Sequence, residues 1–379
     1  MEKINPPGPN CRAAIIGLGR IASLLEDDSR REKPCTHAGA ITADPDCVLV
    51  GGCDINEDRR ALFAERWKVP VYADAAEMIH AQKPQILVIA THPDSHYHYC
   101  RIAAASGVPL IVCEKPLADT LSAARKIAAL AKHGIDGFRP VIITNHERRY
   151  SADYLKVKEI LDGEKLGTLL SVRAVLYMGK NQAGASARLL DVLWHDGTHL
   201  ADVIMFLTGL KLKHRRRYGA KLGASNGTAW LEGGLLQPKY AAAAGQPSLS
   251  IPVVMETGAG RDHHYPAIPV VTEIGAGRDH LVFEIEFSCV KGRLRIGNGI
   301  FEVWESAESP YAEKFRSLKK TSGAFEGPTG YFSNMIADAV SCLRFCASHD
   351  AREPGRRPVS SAADGLAVIE YLHSVKPWL

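Results

Sequence analysis

The sequence has no long apolar run, no cysteine framework and no secretion signal, and each lack removes a class of protein. No stretch of its 379 residues is apolar over the length of about 20 residues that a membrane span requires. The nine cysteines are odd in number and scattered, which favours a reducing compartment over a disulfide framework. Residues 1–10 are polar and proline-rich, unlike a signal peptide, so we expect a cytoplasmic protein.

The charge and histidine patterns remove two further classes. The net charge is only +4, and the densest basic cluster, Arg215-Arg216-Arg217 after His214, is typical of a solvated turn. We therefore expect no nucleic-acid partner. His92, His96 and His98 cluster, but the sequence has no recognisable partner pairs that would complete a zinc site, so we expect no metal. The length exceeds one typical domain, and two are expected.

What the sequence does have is a glycine turn directly after an apolar run. Residues 13–16 are apolar, and Gly17-Leu18-Gly19-Arg20-Ile21-Ala22 follows. A buried strand, a tight turn and a helix start in this order are typical of a dinucleotide-binding βα unit. Gly17 permits the turn, and Gly19 has no Cβ to block a pyrophosphate at a helix N-terminus. We expect Gly17, Gly19, Arg20 and Ile21 to contact the cofactor.

A second strand, residues 48–54, ends in the acid Asp54. This acid would bond the ribose hydroxyls and repel a 2′-phosphate, which favours NAD and makes NADP less suited. The acid usually follows the glycines by about 20 residues, and here the separation is larger. The charged, proline-ended stretch 25–34 explains the excess as an insertion within the first helical segment, which resumes at Thr36. The charged part, residues 26–33, either covers the mouth of a substrate cleft or is a solvated excursion that touches nothing.

Strands alternate with helices up to residue 144, which predicts a doubly wound parallel sheet. Ligands of such sheets bind beyond the carboxyl ends of the strands. At one of these ends, Glu114-Lys115-Pro116 places a lysine where its ammonium could bond a substrate oxygen. The alternative is a surface lysine in a loop.

Polar residues recur at helical spacing in the apolar stretch 189–207. His195, His199 and Asp202 would share one face of a single helix, with Asp196 at its border. A histidine beside a carboxylate is a reasonable general base near neutral pH. Farther on, the hexapeptide at residues 258–263 recurs at 275–280, and we assign no role to this duplication.

The glycine turn, Glu114-Lys115-Pro116, Arg148-Arg149-Tyr150 and the segment 195–199 occur in an order that resembles the Gfo/Idh/MocA oxidoreductase family. The resemblance implies a Rossmann domain, residues 1–147, and an α/β domain with a mostly antiparallel open sheet, residues 148–379. It also implies a bound NAD(P) and carbohydrate-like alcohol substrates. Family members usually assemble through this second sheet, so we expect a homodimer or homotetramer.

The resemblance also implies which residues contact the cofactor. The family has a short polar loop after the fourth strand that touches the cofactor, followed by a histidine that opens the next helix. In this sequence Thr91 and His92 occupy the loop and His96 opens the helix. Glu114 and Lys115 complete the expected cofactor contacts.

The resemblance also implies which residues meet at the reacting carbon of the substrate. The family joins its lysine to the last histidine of the helix segment, here His199, and to an aspartate four residues earlier. That aspartate position holds His195, and the nearest acid is Asp196. Either His195 takes the role, or Asp196 rotates in, or the chemistry differs, and His195 could also be a core histidine. Lys115, His195, His199 and Asp196 are thus the catalytic candidates.

Arg148, Arg149 and Tyr150 would hold substrate hydroxyls or an anionic group together with Lys115, His195 and His199, or form a salt-bridged hinge. We therefore expect an NAD-dependent dehydrogenase that acts on a secondary alcohol of a sugar, cyclitol or related polyol. Two alternatives remain: an NAD-assisted glycoside hydrolase or lyase with no net redox change, and a non-catalytic NAD-binding regulator.

Overall fold

The computed structural model describes residues 11–179, 189–219, 227–236, 267–348 and 356–375. The chain divides into two compact units: the first comprises Met1–Lys156 and Glu326–His373, and the second comprises Val157–Phe325 and Ser374–Leu379. The first unit is thus discontinuous in sequence, because the chain returns to it after the second. The functional boundary between residues 147 and 148 stays a prediction.

The first unit is built on a parallel sheet. Its strands are β1 (Cys11–Ile16), β2 (Cys47–Cys53), β3 (Val71–Tyr72), β4 (Ile86–Ile89), β5 (Leu110–Glu114) and β6 (Val141–Asn145). The six strands lie in the order β3-β2-β1-β4-β5-β6, and every neighbouring pair is parallel. All residues of β4 and β5 are buried, as expected for central strands covered on both faces. The predicted doubly wound Rossmann sheet is confirmed.

Helices flank this sheet. They are α1 (His37–Ala43), α2 (Glu57–Trp67), α3 (Ala75–Gln82), α4 (His96–Ala105) and α5 (Leu121–His133). Short 3₁₀ helices lie at Leu24–Asp27 and Glu147–Tyr150, and α6 (Ala152–Asp162) follows, with its residues divided between the two units. Polar caps fix several of their starts: the side chains of Thr36, Asn56 and Asp74 each accept a backbone N–H of the first turn.

The charged stretch after the glycine turn interrupts a helix. One bond of α-helical type follows the turn, because Ser23 N–H donates to Gly19 O at 3.1 Å. The ladder then resumes across the excursion, where the N–H groups of His37 and Ala38 donate to the carbonyls of Ile21 and Ala22 at 3.1 and 2.9 Å. The prediction of an insertion within the first helical segment is therefore confirmed.

The second unit carries a wider sheet. Its strands are β7 (Leu169–Gly179), β8 (Lys211–Gly219), β9 (Gly227–Leu236), β10 (Ala267–Arg278), β11 (Val282–Cys289), β12 (Gly292–Gly297), β13 (Ile300–Glu308) and β14 (Arg316–Ser322). The eight strands lie in the order β14-β13-β12-β11-β7-β10-β9-β8. Among the described pairs, β7 with β10 is parallel and the others are antiparallel. The expected mostly antiparallel sheet is confirmed.

One expectation about the second unit, a turn at residues 215–217, is wrong. Residues 215–217 belong to strand β8 and not to a turn, since antiparallel pairing with β9 outweighs the polarity of three arginines. The second copy of the duplicated hexapeptide ends β10 and continues into the following bend, whereas the first copy, residues 258–263, lies outside the described residues.

The predicted helix over residues 189–207 is also interrupted. It forms α7 (Leu189–His195) and α8 (Gly197–Thr208), with Asp196 as the N-cap residue of α8. Glycine and aspartate have low helix propensity, and aspartate is favoured at an N-cap, which explains the break.

Two C-terminal helices follow, α9 (Tyr331–Ser348) and α10 (Ala362–Val375). Helix α9 packs its apolar side, including Phe332, Met335 and Ile336, into the same hydrophobic core as β1 and α1. At the start of α10, the Thr144 hydroxyl of β6 donates to the carbonyl of Ser361 at 3.2 Å. Within the described ranges, the helices lack the length and apolarity for crossing a bilayer.

Candidate active site

The glycine turn leaves a cradle at the carboxyl end of β1. Gly17 has a φ of +87°, and a Cβ there would lie 2.7 Å from the carbonyl carbon and oxygen of Ala90. A side chain at Gly17 would therefore push the end of β4 away. At Gly19 a Cβ would fill open space, since the nearest atom is Arg59 Nη1 at 3.9 Å. This open approach to the backbone fits a dinucleotide pyrophosphate, which Gly19 leaves room to bind.

Asp54 connects the end of β2 to this turn. The carboxylate is buried, and its Oδ2 accepts the N–H of Leu18 at 2.8 Å while Oδ1 accepts the N–H of Asn56 at 2.9 Å. Arg59 brings a guanidinium nitrogen to 3.7 Å from Asp54 Oδ2, and its side chain is 49% exposed. Arg60 donates to the backbone carbonyl of Asp54 at 2.8 Å. An acid and a cation thus adjoin the same end of the turn.

The polar loop after β4 is held by a buried histidine. His96 is fully buried, with Nε2 3.1 Å from the carbonyl of Thr91 and Nδ1 3.1 Å from the carbonyl of Pro116. Burial lowers the pKa of His96 below its ordinary value, although the carbonyls at both ring nitrogens oppose this. Thr91 is half-buried and His92 is exposed. In this geometry His96 supports the loop, and Thr91 and His92 are the members a cofactor could reach.

A cluster of polar side chains surrounds the end of β5. Glu114 Oε1 accepts from Asn145 Nδ2 at 2.7 Å and lies 2.7 Å from His37 Nε2, and its Oε2 accepts the N–H of Lys115 at 3.1 Å. The cluster uses neighbouring strand ends, because Glu114 and Asn145 are partners in the β5–β6 register. The bond from Lys115 to Pro116 is cis. Glu114 is thus turned into the protein, where it holds the backbone of Lys115.

His37 and Asn145 were not among the predicted site residues. His37 lies far from Glu114 in sequence, and only the packing of α1 beside the strand ends brings the two together. Asn145 is the last residue of the mostly apolar strand β6. A polar residue at the carboxyl end of a parallel strand faces the edge where ligands bind, so the sequence held a weak signal for this site residue.

The segment after β6 contains the predicted substrate ligands. Arg149 and Tyr150 are buried. Arg149 Nη1 lies 3.4 Å from Asp364 Oδ1 and donates to the carbonyl of Val359 at 3.0 Å. Tyr150 donates its hydroxyl to Asp338 Oδ2 at 3.3 Å, and burial raises its pKa well above the ordinary value. These contacts favour the salt-bridged alternative for Arg149 and Tyr150, and their role as substrate ligands stays a prediction.

Arg148 and Glu147 differ from their two neighbours. Arg148 Nη1 lies 2.9 Å from Glu147 Oε1, and the two side chains are 19% and 20% exposed. Burial raises the pKa of Glu147, against the opposing charges of Arg148 and Lys115. Among the predicted substrate ligands of this segment, Arg148 is thus the more accessible cation.

The histidine segment lies in the second unit. His195 is exposed, with Nδ1 3.2 Å from Asp196 Oδ1, so these two candidates form one imidazole–carboxylate pair. His199 and Asp202 are buried in α8. The candidates that we expected on one face of a single helix are therefore divided between α7 and α8 at Asp196. His195 is not a core histidine, because its side chain is exposed.

Several groups at the strand ends of the first unit can serve a redox reaction on an alcohol. The cradle at Gly17 and Gly19 can accept phosphates, Asp54 can accept ribose hydroxyls, and Lys115 can donate to an alcohol oxygen. In the described residues, no group of three or more His, Cys, Asp and Glu side chains is arranged to hold a metal ion.

Known proteins are similar to this chain in sequence and in fold. Residues 11–134 match the GFO_IDH_MocA family model, described as an oxidoreductase family with an NAD-binding Rossmann fold. An inositol 2-dehydrogenase/D-chiro-inositol 3-dehydrogenase of Shouchella clausii is 28% identical over 209 residues, which cover 54% of this chain and 55% of that protein. An inositol 2-dehydrogenase of Klebsiella pneumoniae is 32% identical over 129 residues, which cover 33% of this chain and 37% of that protein. The chain thus spans about half or less of the length of these relatives.

The likeness of fold extends over more of the chain. The crystal structure of an oxidoreductase from Agrobacterium radiobacter in complex with NAD+, L-tartaric acid and magnesium matches with a TM-score of 0.63 at 16% identity. The match covers 98% of this chain and 97% of that one. The NAD-binding Rossmann region, residues 11–134, is thus similar to the Gfo/Idh/MocA oxidoreductase family.

Proposed function

We propose that the chain is an NAD-dependent dehydrogenase that acts on a secondary alcohol of a sugar, cyclitol or related polyol. One observation carries the proposal: the glycine cradle, Asp54 and Lys115 all lie at the carboxyl edge of one parallel sheet. This edge is where doubly wound sheets bind their ligands. The similar inositol dehydrogenases support a polyol as substrate.

Each catalytic candidate has a role in this reaction. The glycine cradle and Asp54 would hold NAD, whose nicotinamide would supply the hydride acceptor for the carbinol carbon. Lys115 donates to the substrate oxygen and stabilises the charge that develops there. His199 takes the hydroxyl proton, and the His195–Asp196 pair passes it to solvent, since His195 is exposed. Arg148 holds further substrate oxygens.

We also propose that NAD is preferred over NADP. The buried Asp54 carboxylate would repel a 2′-phosphate and accept the ribose hydroxyls instead. Arg59 lies 3.7 Å from this carboxylate and weakens the repulsion without removing it, because its side chain is half-exposed and screened by solvent. The preference is therefore moderate.

Assembly and compartment complete the proposal. Side chains of β11 alternate between buried and half-buried positions, and on the half-buried face Arg295 lies 2.7 Å from Glu284 and 2.9 Å from Glu302. We infer that this face forms a homodimer or homotetramer contact, which light scattering of the purified protein tests. The nine cysteines are all unpaired, which supports a reducing compartment such as the cytoplasm.

The experiment that tests the function measures NADH formation on a panel of alcohols, with myo-inositol first and with glucose and methyl glucosides beside it. We expect NADH to form with at least one polyol and in equal amount to the ketone product. Cleavage of a glycoside without net NADH would support the hydrolase alternative. Tight NAD+ binding with no turnover on any member would support the regulator.

A further inference from the structure

Among the described residues, the buried side chain of His37 makes one polar contact. It is the first residue of α1, it is fully buried, and its ring packs edge-on against Phe332 with centroids 5.0 Å apart. Nε2 lies 2.7 Å from Glu114 Oε1, and Nδ1 has no hydrogen-bond partner in the described part of the chain. A buried imidazole that leaves one nitrogen unsatisfied carries a cost, so the bond to Glu114 offsets it.

The partner of His37 is a buried carboxylate that stays ionised. Burial raises the pKa of Glu114, but the hydrogen bond and charge of His37, the hydrogen bond from Asn145 and the charge of Lys115 outweigh it. The pKa therefore lies below its ordinary value. An ionised carboxylate accepts hydrogen bonds only, so His37 Nε2 and Asn145 Nδ2 are both donors. The remaining oxygen, Oε2, accepts the N–H of Lys115 at 3.1 Å.

We propose that His37 and Glu114 form a positioning pair for Lys115: His37 fixes the Glu114 carboxylate, and this carboxylate fixes the backbone of Lys115 at the strand end. The inference rests on the proposed function, in which Lys115 acts on the substrate oxygen. Neither member of the pair touches substrate in this role. Loss of either one lets the lysine move, and a displacement of about 1 Å at a catalytic group can cost on the order of 10² in rate.

Other titratable groups also sense the charge of Glu114. They come from the strand itself, from α4 and from the segment after β6: Cys113, His96 and Glu147, in addition to His37 and Lys115. Among these groups, His37 brings Nε2 to 2.7 Å from Glu114 Oε1 and donates a side-chain hydrogen bond to the carboxylate. A substitution at His37 should therefore raise the pKa of Glu114 more than changes at the others.

The test uses His37→Leu, His37→Gln and Glu114→Gln in the full chain. Carboxyl NMR of protein labelled with ¹³C-glutamate follows the titration of Glu114, whose signal is the one absent from Glu114→Gln. We expect His37→Leu to raise the pKa of Glu114 and His37→Gln to raise it less, because glutamine keeps an N–H donor but not the charge of the imidazole. Ser360→Ala, which removes another buried polar atom of the first unit, should leave this pKa unchanged.

The kinetic arm measures kcat and NAD+ affinity separately on the alcohol that the wild type oxidises. We expect His37→Leu and Glu114→Gln to lower kcat at least about tenfold and to change the NAD+ dissociation constant by a smaller factor than kcat. The double variant His37→Leu/Glu114→Gln should have nearly the same kcat as Glu114→Gln alone, because the two side chains act through one contact. An unchanged Glu114 pKa in His37→Leu, or a wild-type kcat in Glu114→Gln, would overturn the pair.

Lys115→Ala separates this inference from the proposed function. If Lys115→Ala keeps wild-type turnover, the proposed function itself fails. If Lys115→Ala is inactive while Glu114→Gln keeps its kcat, the function stands and the positioning pair fails. Should His37→Leu not fold, as judged by circular dichroism, Glu114→Gln and His37→Gln carry the test, since both preserve the volume of the cluster.

Discussion

Glu32 accepts the backbone N–H of Gly330 at 2.7 Å, and this bond fastens the charged excursion to the segment that precedes α9. The same carboxylate accepts the N–H and the hydroxyl of Thr329 at 2.8 and 2.9 Å. The excursion is therefore anchored, and the alternative that it touches nothing is wrong. Its role as a cover for the substrate stays a prediction.

The first prediction concerns this anchor. Glu32→Ala should lower the free energy of unfolding by about 1–2 kcal/mol at neutral pH, because it leaves two backbone N–H groups of the segment before α9 without their acceptor. Urea denaturation measures the change. Arg30→Ala, an exposed position of the same excursion, is the control and should change stability little.

The pH dependence of that difference has a defined sign. Burial raises the pKa of Glu32, but the bonds from Gly330 and Thr329 outweigh it and bring the pKa below its ordinary value. The stabilisation is therefore present above the unfolded pKa of about 4.3 and is lost as the pH falls through the folded pKa. An unfolding difference that grows on acidification would contradict this account.

The second prediction concerns cofactor choice. The wild type should bind NAD+ at least about tenfold more tightly than NADP+, a difference of roughly 1.4 kcal/mol, because of the charge of Asp54. Arg59→Ala should widen this ratio by up to about fivefold, since it removes the cation that offsets the acid. Calorimetry with both cofactors measures the ratio, and Arg101→Ala, exposed on α4, is the control. Equal or tighter NADP+ binding by the wild type would refute the preference.

The third prediction separates two neighbouring arginines. Arg149→Met should lower the free energy of unfolding by about 1–3 kcal/mol, because it leaves the buried side of Asp364 and the carbonyl of Val359 without this donor. Arg148→Met should instead raise the Michaelis constant for the alcohol and lower stability less than Arg149→Met does, since Arg148 is more accessible. Thermal unfolding and steady-state kinetics of both variants distinguish the structural role from the substrate-binding role. The reverse pattern would make Arg149 the substrate ligand.

The fourth prediction concerns the proton. His199→Asn should lower kcat by about 10²–10⁴ and change the pH–rate profile, because it removes the group that takes the hydroxyl proton. His195→Asn and Asp196→Asn should shift that profile by similar amounts, because the two side chains form one pair at 3.2 Å. If all three variants keep the wild-type profile, the segment carries no proton and is structural.

Much of the first unit could be predicted because its signals are local. Apolar runs such as β4, the glycine turn and the acid at the end of β2 each depend on a few adjacent residues. The break at Asp196 was missed, because the apolar periodicity of residues 189–207 continues across it, although aspartate is favoured at an N-cap. Strand β8 was missed as well, because its basic residues acquire strand structure only by pairing with β9.

The candidate site divides in the same way. Gly17, Asp54 and Lys115 follow strands directly, so the rule for ligands at strand ends predicts them. His37 reaches Glu114 only when the excursion closes and α1 continues the helix that starts at Gly19, which no local pattern indicates. The buried partners of Arg149 and Tyr150 come from the C-terminal part of the chain, and sequence reasoning therefore placed both residues among the substrate ligands.

The most direct test of the central claim compares Lys115→Ala with the wild type, in kcat on the oxidised polyol and in NAD+ affinity by calorimetry. The account predicts that kcat falls by about 10²–10⁴ while the NAD+ dissociation constant changes less than about twofold, because the ammonium acts on the substrate oxygen. A variant that keeps near-normal turnover, or that loses NAD+ binding in step with kcat, would contradict it.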